Sequence, residues 1–239
     1  MPRRPRGATG KFIFHVLNRA VEGTILFETP EDYQRFLDIL VAGMRLFPVR
    51  VFAYCLMPNH WHLVIAPCTD EALSKFMRWV TAKHAQSWRR LRGSEGRGAV
   101  YQGRYKAIAV QDDRRLVRLA LYVERNAKRG GLAERAEAWP WTSASPLSGS
   151  PDRPGLTSWP IPRPADWLAR LNAPEDPRLL NVIRKTVRAN RHYGSLAWRR
   201  QTGLTLNWRE GHRPPGRPRR KTGASIGRDD APGQLALTL

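Results

Sequence analysis

The sequence lacks the features of secreted and membrane proteins. It has only two cysteines in 239 residues, which argues against a disulfide scaffold and fits a reducing compartment. It has no run of about 18 apolar residues, and no apolar stretch of the signal-peptide type follows its basic start. We therefore expect a cytoplasmic protein with no membrane partner.

Acidic residues are also scarce. Asp and Glu total 20 against 41 Lys and Arg, which gives a formal net charge of +21. This excess is larger than solubility requires and is typical of chains that neutralise phosphates. Nucleic acid is therefore the first partner to expect, together with a nucleoid-associated location.

Composition divides the chain into five segments. A basic arm (1–10) precedes a main folded domain (11–145), and a proline-rich strap (146–175) follows. A basic helical extension (176–221) ends in PGRPRRK, which resembles an AT-hook core, although a general phosphate-binding tail is the simpler interpretation. We expect Arg217, Arg219 and Arg220 of this motif to contact DNA. Residues 222–239 are expected to be a disordered tail.

Hydrophobic patterning within residues 11–145 predicts a strand (11–19), a helix (30–47), a hairpin (49–57 and 60–66) and a helix (70–91). A strand (99–110) and a helix (112–131) follow. This order predicts an α+β fold, a ferredoxin-like four-stranded antiparallel sheet with helices on one face, plus the basic helical C-terminal extension.

Two histidines lie one residue apart in the second strand of the hairpin. Strand side chains alternate, so His60 and His62 share one face and Trp61 takes the other. Two imidazoles can bind a metal but need a further ligand. Taken alone, the pair is more often structural or incidental.

The last predicted helix carries a tyrosine and an amide one turn apart. Tyr122 and Asn126 have i, i+4 spacing. Arg118, Arg125 and Arg129 lie on or beside their face and are expected to bind DNA. Two imidazoles and an amide oxygen are neutral ligands, so a bound Mg²⁺ or Mn²⁺ would keep its full charge and open positions for a phosphate. A tyrosine can attack the phosphorus. Considered singly, each residue has an ordinary structural explanation.

The order and spacing of five segments resemble one family. They are FHVLNRAVEGTILFETPEDYQRFLDIL, AYCLMPNHWHLVI, VYQGRYKAIAV, LYVERNAKRGGL and WPWTSA. Over about residues 11–145 the chain resembles the REP-associated tyrosine transposases, a branch of the single-tyrosine HUH transposases. The resemblance implies that this segment is the catalytic domain.

The resemblance also implies roles for particular residues. The metal ligands fall on His60, His62 and Asn126, with Mg²⁺ or Mn²⁺ as cofactor, and the nucleophile falls on Tyr122. The implied reaction is cleavage of single-stranded DNA beside a hairpin, through a 5′-phosphotyrosine and a free 3′-OH. The implied partner is hairpin-bearing, REP-like single-stranded DNA, and the protein would be a monomer or a homodimer.

Further residues are expected to bind DNA. Gln102, Arg104 and Lys106 alternate on a predicted strand and so share a face, for which a solvated edge is the alternative. Asn18 and Arg19 close the first strand and are expected to contact DNA or support the site. His15 is expected to be structural. The alternative function is a DNA-binding protein without catalysis, such as a domesticated regulator or an organiser of repeats.

Overall fold

The computed structural model describes residues 10–96 and 98–206. The predicted arm, the motif residues Arg217, Arg219 and Arg220, and the predicted tail lie outside this range, apart from residue 10. The main domain contains β1 (Ile13–Arg19), α1 (Pro30–Leu46), β2 (Val49–Met57), β3 (His60–Pro67), α2 (Ala72–Leu91), β4 (Lys106–Val110), α3 (Arg114–Glu124) and α4 (Asn126–Arg129). The remaining α-helices are α5 (Trp167–Asn172), α6 (Pro177–Arg188) and α7 (Leu196–Thr205).

The four strands form one antiparallel sheet in the order β2-β3-β1-β4. This is the strand order of a ferredoxin-like fold, so the predicted α+β class and sheet are confirmed. None of the described helices is long and apolar enough to cross a membrane.

Helices cover both faces of the sheet, so the prediction of helices on one face is wrong. Trp61 and Leu63 of β3 belong to a core shared with α1 and α2. Val64 of the same strand belongs to a second core built with α3. The physical reason is visible in β2, whose residues from Val51 to Met57 are all buried, because a strand that is apolar on both sides must be covered on both.

The fourth strand is shorter than predicted. Only Lys106 of the three alternating polar residues lies in β4, while Gln102 and Arg104 lie in a bend. The interpretation that all three share one strand face is therefore wrong. Asn18 holds the bend, because its Nδ2 donates to the carbonyl of Gly103 at 3.2 Å. Asn18 and Gly103 are far apart in the sequence, so the local pattern could not predict this contact.

The last predicted helix of the domain is broken in two. Arg125 lies between the end of α3 and the start of α4, and its guanidinium donates to the carbonyls of Leu171, at 2.8 Å, and Ala173. These carbonyls belong to the end of α5 and the residue after it. The break therefore coincides with the point where the strap contacts the helix.

A buried carboxylate joins the strap to α3. Glu124 is fully buried and accepts hydrogen bonds from Ser143 Oγ at 2.6 Å and from Trp167 Nε1 at 2.6 Å. Arg163 adds an ion pair at 3.2 Å. Burial raises the pKa of Glu124, and Arg163 and the two hydrogen bonds oppose that shift. The network fixes the helix that carries Tyr122 two residues earlier.

Candidate active site

The sheet places the two histidines of β3 on the face covered by α3. Their ring centroids are 5.1 Å apart. Trp61 between them is fully buried on the opposite face, where its Nε1 donates to the hydroxyl of Tyr101 at 3.2 Å. The period-two alternation of the strand therefore separates the candidate ligands from the residue that anchors their strand.

Each histidine has one ring nitrogen engaged by a neighbour. His60 Nδ1 lies 2.7 Å from Asn59 Oδ1, and because an amide oxygen only accepts, this nitrogen carries the proton. His62 Nδ1 lies 2.8 Å from His15 Nε2. His60 therefore has the lone pair of Nε2 left for another ligand, and the same holds for His62 when its Nδ1 donates to His15.

Both imidazoles are neutral near pH 7. Burial, with a smaller contribution from Arg19, lowers the pKa of His60 to about 4. Burial, then the neighbouring histidines and Arg129, lowers the pKa of His62 well below its usual value. Neutral imidazole is the form that binds a metal, so the pair needs no deprotonation near neutral pH.

The structure brings Tyr122 to this histidine pair. The Tyr122 ring centroid is 5.9 Å from that of His62 and 6.2 Å from that of His15, in both cases edge to face. Asn126 is buried, with Oδ1 accepting from Arg129 Nη1 at 3.0 Å. Its Nδ2 has no hydrogen-bond partner among the described residues.

These residues fit a hard divalent cation. Within residues 10–96 and 98–206, no three His, Cys, Asp or Glu side chains form a group that could hold a metal. A metal at His60 and His62 would therefore use the amide of Asn126, DNA oxygens or water to complete its coordination. Mg²⁺ and Mn²⁺ accept such oxygen-rich, partly solvated shells.

Arginines surround the phenol of Tyr122. Arg129 lies over the ring, with its guanidinium carbon 4.6 Å from the centroid, and donates to the Tyr122 carbonyl at 3.2 Å. Arg184 of α6 lies near enough to the Tyr122 hydroxyl to act on its pKa. Burial raises the pKa of Tyr122, whereas Arg129 and Arg184 act to lower it. The two arginines would favour the phenolate over the neutral phenol.

Glu175 in the strap holds Arg129 in place. Its carboxylate accepts from Arg129 Nε at 2.8 Å and from Nη2 at 2.6 Å. Neither Glu175 nor Arg184 was identified from the sequence as part of the site. Both lie about 50 residues or more beyond Tyr122 in the chain, and no local pattern links such distant segments.

Besides Arg129, three residues predicted to bind DNA contact the C-terminal extension or the strap. Arg125 donates to α5 and the residue after it. Arg118 lies near enough to Tyr193 to act on the pKa of its hydroxyl. Lys106 Nζ donates to the Val187 carbonyl at 3.3 Å. None of these contacts involves the histidine pair.

A basic cleft begins near the end of β1. Its volume is about 760 Å³, and it lies between α2 and the bend that precedes β4. Asn18 and Arg104, both predicted to bind DNA, line it. Arg19 follows Asn18 and pairs with His60 in the sheet register, and its carbonyl accepts from Gln102 N at 3.0 Å. Further basic residues in the cleft are Lys75, Arg78 and Arg89.

A second basic pocket lies between α3 and the C-terminal helices. Its volume is about 500 Å³. Asp176 is its only acidic lining residue, and its carboxylate caps α6 by accepting from the Arg178 backbone at 2.9 Å. The arginines that line the pocket are Arg115, Arg118, Arg178 and Arg199.

The segment that carries the site is similar to a known protein family. Residues 10–126 match the family described as IS200-like transposases. This segment belongs to the IS200-like transposase family. The transposase segment includes both histidines and Tyr122, and its last matched residue is Asn126. The strap and α5–α7 lie outside it.

One solved structure similar to this transposase chain is a REP-associated tyrosine transposase bound to a REP hairpin. The two share 18% sequence identity, with 60% of this chain and 82% of that chain covered and a TM-score of 0.48. No curated protein matches the sequence significantly. Family membership supports a transposase-like role in DNA processing.

Proposed function

We propose that this protein is a metal-dependent single-stranded DNA endonuclease and strand transferase that acts at hairpin repeats. The observation that carries the proposal is the contact of Tyr122 with His62, next to a second histidine and beneath Arg129. A nucleophile, two neutral ligands and fixed positive charge in one partly buried site are the parts that phosphoryl transfer needs.

The proposed reaction exchanges one ester bond of the DNA phosphorus for another. Tyr122 Oη forms a bond to phosphorus while the bond from phosphorus to the 3′-oxygen breaks, and the phenol proton passes through water to the leaving oxygen. The products are a 5′-phosphotyrosine and a free 3′-OH. Attack of a 3′-OH on that phosphotyrosine restores the phenol and joins two DNA ends.

The side chains around Tyr122 would make this step possible at neutral pH. Burial raises the pKa of the phenol above its ordinary value, and Arg129 and Arg184 oppose that shift. The two arginines are proposed to stabilise the phenolate and the phosphate charge. His60, His62 and Asn126 would hold Mg²⁺ or Mn²⁺. When bound, the ion supplies positive charge to the phosphate and to the leaving 3′-oxygen.

The two basic clefts are proposed to hold the DNA backbone. The cleft at Asn18 and Arg104 starts beside the strand pair that carries His60, and the pocket at Arg118 lies one helical turn before Tyr122. Phosphate contacts there would position a strand across the site without reading its sequence. A hairpin repeat is proposed as substrate from the family resemblance, bound by a monomer or a homodimer.

Covalent capture of DNA tests the proposal. The full chain is incubated with Mn²⁺ and a labelled hairpin oligonucleotide with single-stranded flanks, and protein-linked DNA is detected on a denaturing gel. Tyr122→Phe should abolish the adduct while retaining most of the gel shift. Tyr54→Phe is the matched control, since Tyr54 is buried in the core on the other face of the sheet and its hydroxyl has no hydrogen-bond partner among the described residues.

Two outcomes would contradict the proposal. Unchanged cleavage by Tyr122→Phe would remove Tyr122 as the nucleophile. A wild-type protein that shifts the oligonucleotides but never becomes attached to them, across Mg²⁺ and Mn²⁺, would instead favour the alternative function as a non-catalytic DNA-binding protein.

A further inference from the structure

A third histidine lies against the candidate metal ligands. His15 is on β1, where it pairs with Val64, while His62 pairs with Leu17. The two histidines are therefore diagonal neighbours on one face of the sheet. Their rings are nearly parallel, at 20°, with centroids 5.0 Å apart. His15 Nε2 is 2.8 Å from His62 Nδ1, so one of these two nitrogens donates to the other.

The direction of that hydrogen bond decides whether His62 can bind a metal. If His62 Nδ1 donates, Nε2 of His62 has a free lone pair. If His15 Nε2 donates instead, His62 carries its proton on Nε2 and cannot act as a ligand through that atom. His60 does not face this choice, because its Nδ1 contacts the amide oxygen of Asn59, which only accepts.

We propose that His15 is a positioning residue that accepts a hydrogen bond from His62 Nδ1 and so presents Nε2 of His62 to the metal. The inference rests on the proposed function, since it assigns His62 as a ligand. It follows the general pattern in which the second ring nitrogen of a metal-bound histidine donates to a fixed partner. Here that partner is an imidazole rather than a carboxylate or a carbonyl.

The surroundings of His15 support a dedicated role. His15 is 1% exposed, and its Nδ1 has no hydrogen-bond partner among the described residues. Leaving a buried polar nitrogen unpaired is unfavourable, so a purely structural role would be served better by an apolar side chain. The contact with His62 is the one polar contact of the His15 ring that the described structure contains.

Metal binding without DNA tests this role, with affinity as the readout. The dissociation constant for Mn²⁺ is measured on the full chain by electron paramagnetic resonance of the free ion. His15→Phe keeps a ring but cannot accept, and should weaken Mn²⁺ binding by about 10- to 100-fold. His15→Gln, whose amide oxygen can accept, should stay within a few-fold of wild type.

His84→Gln is the matched control. His84 is also a buried imidazole, but it packs in the core on the other face of the sheet, against Phe27 and Phe36. Its replacement should leave Mn²⁺ affinity unchanged. Equal Mn²⁺ binding by His15→Phe and wild type would overturn the proposal, as would equal losses in the Phe and Gln variants, which would show a packing effect.

A second measurement needs no substitution at His15. In protein with ¹⁵N-labelled histidines, nuclear magnetic resonance of the Zn²⁺-loaded wild type should show His62 with its proton on Nδ1. A proton on Nε2 would overturn the proposal, and so would failure of wild type to bind either ion. If the proposed function fails because Tyr122 forms no adduct, weakened Mn²⁺ binding by His15→Phe would still support this inference.

Discussion

Replacing Glu175 by Gln should destabilise the folded protein by about 2 kcal/mol at pH 7. Glu175 accepts two hydrogen bonds from Arg129, and the two side chains are only 27% and 13% exposed. A hydrogen bond to a charged group contributes about 1.5–3 kcal/mol. Gln retains one accepting oxygen, so we expect the loss of about one such bond and of the charge attraction, reduced by the partial exposure.

The effect should depend on pH in a defined direction. Burial raises the pKa of Glu175, but the hydrogen bond and charge interaction with Arg129 lower it. The lowering is larger, so the net shift is downward. A carboxyl whose pKa is lower in the folded state stabilises the protein above its unfolded pKa, about 4.3. That stabilisation is lost as the pH falls through the folded pKa, so the difference between wild type and Glu175→Gln should shrink below about pH 4.

Urea denaturation of both proteins at pH 7, 5 and 3.5 measures this difference. Asp166→Asn is the matched control, since Asp166 and Arg170 form an exposed pair with side chains 57% and 50% exposed. Exposed pairs of this kind contribute little to stability. A Glu175→Gln effect no larger than that of the control, or equal at pH 7 and pH 3.5, would refute the reasoning.

Three further predictions concern the core and the proposed DNA-binding surface. Burial lowers the pKa of His84 to about 3, so the stability of the wild type should fall as the pH drops below about 6.5. In urea denaturation, the free energy of unfolding of His84→Gln should fall less steeply over the same pH range. Gly43→Ala would place a methyl group 2.9 Å from Phe76 Cε2, between α1 and α2, and should cost about 1–3 kcal/mol, seen as a lower melting temperature. Arg104→Ala should weaken binding of unrelated DNA sequences equally and reduce the slope of log affinity against log salt by about 1.

Local patterns were enough to predict the frame of the fold. Thr29 and Pro30 precede an amphipathic run with acids in its first turn, and α1 begins at Pro30 as expected. The turn at Pro58 and Asn59 separates two apolar runs, which form the predicted hairpin. The alternation of that second strand then places His60 and His62 together. These features depend on neighbours in sequence.

Features set by distant contacts were not predictable in the same way. The bend before β4 depends on Asn18 and Gly103. Helix α5 lies in a proline-rich stretch whose composition predicts a strap. Trp167 begins this helix, and its indole donates to the buried Glu124. For the same reason the sequence pointed to Tyr122 but did not connect it with Arg184.

The turn between β2 and β3 limits how this protein can evolve. The Pro58 carbonyl accepts from Leu26 N at 2.7 Å, and the Asn59 carbonyl accepts from Ala20 N at 2.9 Å, so the turn is tied to a separate loop. A strand that slips by one residue exchanges its two faces. A single-residue insertion that shifted β3 would bring Trp61 to the site and bury both histidines in the opposite core. Most surface hairpins tolerate insertions and deletions in their turn. Here we expect such a change to be tolerated only if His60 and His62 stay on the same face of the sheet.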